Sequence, residues 1–135
     1  MTRWNTEIPT EEEEQIKLAE YLDMKGYCWC HVPNEGKHKV QYRKKQAKKG
    51  LKAGVPDVLI FDNPGDIKIG SKLISGVIIN GIAIELKRKK GGSLQESQKK
   101  WLKKLDERDW ITNVCYGADE AIKFLENIFK ECDNE

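Results

Sequence analysis

An aspartate opens one apolar run of this chain, in Gly54-Val55-Pro56-Asp57, and a glutamate and a lysine close another, in Ile84-Glu85-Leu86-Lys87. Residues i and i+2 of a strand project to the same face, so Glu85 and Lys87 stand side by side. Two carboxylates beside one lysine suit the hydrolysis of a phosphodiester. The acids hold a hard cation such as Mg²⁺ or Mn²⁺, and the ammonium orients or deprotonates water and balances charge on the phosphorane. A P-D followed by E-x-K is a weak pattern alone. Its setting strengthens it: both pieces lie in β-type runs, with a basic segment just upstream.

Each residue also has a plainer reading. Asp57 follows Pro56, and Pro-Asp is a common turn. Glu85 could form a salt bridge with Lys87 or a cross-strand lysine on a solvated face. The alternation turns Ile82, Ile84 and Leu86 one way and Ala83, Glu85 and Lys87 the other. Gln98 lies four residues after Leu94 and three before Trp101, an amide on an otherwise apolar helical stripe. There it needs hydrogen-bond partners, either water at an edge or the lysine and attacking water of a site. Glu11 to Glu14 favour a helix dipole. One of them could reach a metal, and sharing Ile16's face ranks Glu13 first and Glu14 second.

These residues need a scaffold. Thr10 and Glu13 form a T-x-x-E box that opens a helix over 11–25, stopped by Gly26, with Ile16, Ala19 and Leu22 as its stripe. Strands are expected over 27–32 and 55–61, then across 77–86 with Asn80-Gly81 as a hairpin turn. The stretch 66–75 is compatible with a short strand pair. A helix over 93–108 opens with Ser93 and Glu96, a strand covers 110–116, and a helix over 118–130 buries Ala121, Ile122, Leu125, Ile128 and Phe129. The order α-β-β-β-α-β-α predicts an α/β fold, a mixed central sheet flanked by helices.

At 135 residues, one domain spanning 1–135 is the natural expectation. No apolar run reaches membrane-spanning length and no signal-peptide core is evident, so a cytosolic setting is expected. Cys28, Cys30, Cys115 and Cys132 lack zinc spacing and read as reduced, mostly buried thiols. The net charge of +2 hides an asymmetry. Lys37, Lys39, Arg43, Lys44, Lys45, Lys48, Lys49 and Lys52 follow one another without an acid, and Lys87-Arg88-Lys89-Lys90 adds a second group. A charge run is often a solvated face, but uncompensated cations repel unless a polyanion is present, and a phosphate backbone is one.

Val32-Pro33-Asn34-Glu35-Gly36, Gly54-Val55-Pro56-Asp57, Ile84-Glu85-Leu86-Lys87-Arg88 and Gln98-x-x-Trp101-Leu102 together resemble the VRR-NUC family of the PD-(D/E)xK nuclease superfamily. The likeness spans nearly the whole chain in the correct order. It implies a restriction-endonuclease-like core, with Asp57 and Glu85 as Mg²⁺ or Mn²⁺ ligands, helped by the Leu86 carbonyl. It further implies Lys87 as catalytic lysine, Gln98 as supporting polar residue, and a first-helix glutamate as auxiliary ligand. Small members of the family look like phage or bacterial enzymes that cut branched DNA, four-way junctions included, as homodimers, leaving 5′-phosphate ends. One departure is the interval from Phe61 to Ile82, which is longer than the family's usual hairpin.

The expected activity is thus a metal-dependent DNA endonuclease acting on branched DNA, its basic segment and Arg88 gripping the backbone. Two rivals remain: a nuclease fold that binds nucleic acid without cutting it, and a sequence-specific restriction-type enzyme.

Overall fold

Residues 7–33, 40–65, 67–69, 71–74 and 79–129 are described in a computed structural model of the chain. The first helix, α1 (Glu11–Lys25), begins at the Thr10 box: Thr10 Oγ1 accepts from the Glu13 amide and Glu13 Oε1 from the Thr10 amide. It ends at Gly26, whose left-handed backbone, φ 78°, lets the chain reverse into β1 (Trp29–His31). The buried positions of α1 are Glu14, Leu18 and Leu22, spaced by four, whereas Ile16 is 53% exposed. The stripe therefore lies about one position round from the expected one.

The basic segment forms a helix, α2 (Val40–Lys48), with no buried residue. Strand β2 (Val58–Ile60) follows, shorter than predicted, and then a hairpin of β3 (Ile67–Ile69) and β4 (Lys72–Ile74), which among the described residues form a two-stranded sheet of their own. This small ribbon accounts for the long interval before β5 (Gly81–Lys87). The remaining elements are α3 (Glu96–Asp106), β6 (Trp110–Tyr116) and α4 (Ala118–Ile128).

The main sheet runs β1-β2-β5-β6, antiparallel at its first two junctions and parallel between β5 and β6. It is a mixed sheet with helices on it, as the alternating pattern predicts. The parallel junction needs a crossover, and α3 supplies it. Gly81 does not turn a hairpin as Asn80-Gly81 suggests. It starts β5 opposite Trp110, and a Cβ there would lie 2.4 Å from the Trp110 ring.

Every residue of β5 is buried, because its two faces serve two layers. Ile82, Ile84 and Leu86 join Val58, Ile60, Leu18, Leu22, Ala121 and Leu125 in one core beneath α1 and α4. Ala83, Glu85 and Lys87 take the other face, beneath α3. One carboxylate ties the layers of the first side together. Glu14 Oε1 accepts from the Ala118 amide at 2.8 Å, capping α4 where Gly117 has no side chain to do so. Among the described cysteines only Cys115 is buried; Cys28 and Cys30 are exposed free thiols, which corrects the expectation of mostly buried ones. Cys132 lies outside the described residues. No helix among the described residues is long and apolar enough to cross a membrane.

Candidate active site

The antiparallel register sets Val58 against Ile84, so the next residue outward on each strand, Asp57 and Glu85, lies at the same level. Gly54 brings the preceding loop close enough to α3 for this. Its φ is +93°, and a Cβ would stand 2.5 Å from the Ser97 carbonyl carbon, so only glycine fits. Asp57 Oδ2 then accepts from the Leu86 amide at 2.8 Å, which fixes the carboxylate across the strand junction.

Gln98 joins the other two groups. Its Nε2 donates to Glu85 Oε2 at 3.0 Å, and its Oε1 accepts from Lys87 Nζ at 3.0 Å and from the Gln95 amide at 2.9 Å. The two donors on one side and the carboxylate on the other leave the amide one sensible orientation. The Gln95 contact also makes Gln98 the N3 residue that starts α3, two residues later than the Ser93 box predicted. Lys87 Nζ lies 3.4 Å from Glu85 Oε2, both side chains almost fully buried. Asp57, Glu85, Lys87 and Gln98 are thus four buried polar residues in one place. Buried polar groups normally complete their hydrogen bonds, yet among the described residues Glu85 Oε1 has no hydrogen-bond partner.

Burial raises both carboxylates above their ordinary range. For Glu85 burial acts first and the neighbouring Asp57 charge adds to it, against the Lys87 ammonium, lifting it to about 8. Asp57 is raised by burial and partly restored by the Leu86 amide. Without a cation, the pair therefore keeps a proton near neutrality. A divalent cation fits: it would displace that proton, give Glu85 Oε1 a partner and neutralise the pair. Among the described residues no three His, Cys, Asp or Glu side chains gather as a cation cage. The Asp57–Glu85 pair would leave the rest of the coordination to backbone carbonyl, water and substrate, as Mg²⁺ commonly does.

The first-helix acids sort differently from the expectation. Glu13 is tied to the Thr10 amide at 2.8 Å and Glu14 caps α4, so neither ranked candidate serves the pair. Glu11 instead lies near Asp57. It lines a pocket of about 400 Å³ with Glu12, His31 and Asp57, and its carboxyl is raised by partial burial and then by the Asp57 charge, against the Lys87 ammonium. Four consecutive acids sample every direction round a helix, so sequence could not choose among them. His31 was missed altogether. Its Nδ1 lies 2.9 Å from the Asp57 carbonyl oxygen, a contact made through backbone that leaves no motif; the β1–β2 pairing of His31 with Val58 is what brings it there.

The cations divide too. Arg43, Lys44, Lys45, Lys48, Lys49 and Lys52 are exposed on and just after α2, while Lys37 and Lys39 lie outside the described residues. Arg88 is exposed but has structural work: its Nε and Nη2 donate to the Pro9 and Ile8 carbonyls, pinning the lead-in to α1.

The profile of the VRR-NUC domain matches residues 9–119, which contain Asp57, Glu85, Lys87 and Gln98. The chain belongs to the VRR-NUC family. A solved VRR_NUC domain protein is similar in fold, with a TM-score of 0.71 over 92% of this chain and 91% of the other at 21% identity. No curated protein matches the sequence. VRR-NUC membership implies a nuclease domain and a DNA substrate.

Proposed function

We propose that the chain is a divalent-metal-dependent DNA endonuclease that hydrolyses phosphodiester bonds in branched DNA, four-way junctions included, as a homodimer. The observation that carries the reading is the Gln98 bridge between Lys87 and Glu85, next to Asp57, with Glu85 Oε1 buried and, among the described residues, without a hydrogen-bond partner. Asp57, Glu85 and the Leu86 carbonyl would hold Mg²⁺ or Mn²⁺. Such an ion supplies a Lewis acid for the scissile phosphate and an acidified water.

The chain's own groups do the rest. Lys87 carries three N–H donors; Gln98 takes one and Glu85 lies beside another, so donor capacity remains for the attacking water or the phosphate oxygens. Gln98 holds the ammonium in place and keeps it from collapsing wholly onto Glu85. Glu11 and His31 line a pocket with Asp57 and would supply polar groups to ordered water there. The cations of α2 grip the phosphate backbone without reading bases. Backbone contacts of that kind carry no sequence information, which supports a structure-specific substrate. A symmetric dimer would present two sites for paired nicks across a junction.

Incubation of labelled four-way junction, linear duplex and single strand with Mg²⁺, Mn²⁺ or EDTA tests this, with Lys87→Ala in parallel. Metal-dependent cutting of the junction that the substitution abolishes is the expected result. Binding in every condition with cutting in none would replace the reading by a non-cutting binding module.

A further inference from the structure

Between α2 and the Asp57–Gln98 end of the site lies a cleft of about 380 Å³ that the hydrolytic chemistry leaves unused. We propose that it seats one unpaired nucleobase of the substrate strand, stacked on Tyr42, beside the phosphate to be cut. The inference rests on the nuclease reading and adds to it a base-accepting subsite.

Three observations carry it. The volume is at the lower end of the roughly 300–1,000 Å³ typical of small-molecule sites, room for a base but not for a base pair with its stacked neighbours. The lining is of the right kind. Tyr42 offers an aromatic ring, Pro33 and Leu51 offer apolar walls, and Arg43 and Lys52 bring positive charge for the flanking phosphates. Asp57 and Gln98 also line it, so whatever occupies it touches the acid site. Finally, α2 has no buried residue, yet Tyr42, Arg43, Gln46 and Ala47, one face of that helix, all line the cleft. A helix that gives nothing to the core but turns one face to a charged, half-apolar cleft is placed for a ligand. The free phosphate backbone would supply the charge, and the base the apolar surface and stacking face.

A base in a duplex is covered above and below and cannot enter without unstacking, whereas one beside a branch point or mismatch is already released. The cleft thus gives a physical reason for structure selectivity that requires no reading of sequence.

The test uses the full chain in EDTA, which separates binding from cutting. Two duplexes of equal length and charge carry the same 2-aminopurine, unpaired in one and paired in the other. Wild type should prefer the unpaired duplex and quench its fluorescence. Tyr42→Ala should lose between about 5- and 150-fold of that preference while keeping its affinity for the paired duplex; Tyr42→Phe should retain it. Ala47→Trp, which fills the cleft, should abolish the quench. Equal affinities in wild type, or a preference untouched by both Tyr42→Ala and Ala47→Trp, overturns the proposal. Metal-dependent cutting with no preference for the unpaired duplex in binding sinks only the cleft. Tyr42-dependent binding with no cutting in any metal supports the cleft and sinks only the nuclease.

Discussion

Cation binding by the acid pair should expel a proton, because Glu85 is held at about 8 by burial and by Asp57. At pH 7 about nine in ten metal-free molecules then carry that proton, and a cation can bind only after it leaves. Release should be about 0.9 proton per ion at pH 7 and about a tenth of one at pH 9. The apparent affinity should rise about tenfold between pH 6 and 7 and level off above pH 8. Titration calorimetry with Mn²⁺ in two buffers of different ionisation enthalpy reads the released protons directly. Glu85→Gln should bind the ion more weakly and release none. The sign for stability follows from the same shift. A carboxyl raised from 4.5 to about 8 on folding stabilises fully below 4.5, and that contribution is lost as pH rises through about 8. Melts in EDTA should therefore fall between pH 5 and 8 and recover when Mn²⁺ is added. Wild type releasing no proton at pH 7, or Glu85→Gln releasing as many, would refute the reasoning.

Other outcomes follow from single contacts. Gln98→Leu removes the amide from Lys87 and Glu85 and should lower kcat roughly 10- to 100-fold with little change in DNA affinity, read by single-turnover cutting and filter binding. Gly54→Ala drives a Cβ into the Ser97 backbone at a φ of +93° and should cost about 2–4 kcal/mol, seen as a lower urea midpoint. Changing Arg43, Lys44 and Lys48 to glutamine should flatten the plot of log affinity against log salt by about 2–3 units, and an unchanged slope would return α2 to a merely solvated face.

The pieces legible in the sequence were those fixed by local chemistry. The Thr10–Glu13 box set the start of α1 and Gly26 its end, where the structure has them. Alternation along β5 sorted Glu85 and Lys87 from Ile84 correctly, although not the covering of both faces, since a helix crossing over the polar side is a tertiary fact. What local pattern could not give was rotation and close approach. Ile16 and Leu18 are equally apolar, and only packing against α4 decides that Leu18 is buried and Ile16 exposed. The same rotation turns Glu14 to the start of α4, while Glu11 lies near Asp57. Asn80-Gly81 has the chemistry of a turn, but the glycine is there to admit the Trp110 ring. Gln98 stood out as an amide on an apolar stripe, and it has the buried partners that such a position demands.

The central claim is that Asp57 and Glu85 share one divalent ion. Anomalous scattering from a crystal grown with Mn²⁺ tests it most directly. One peak within ligand distance of Asp57 and Glu85 Oε1, lost in Glu85→Gln, is the predicted result. Density bound elsewhere, or to neither carboxylate, would contradict the account.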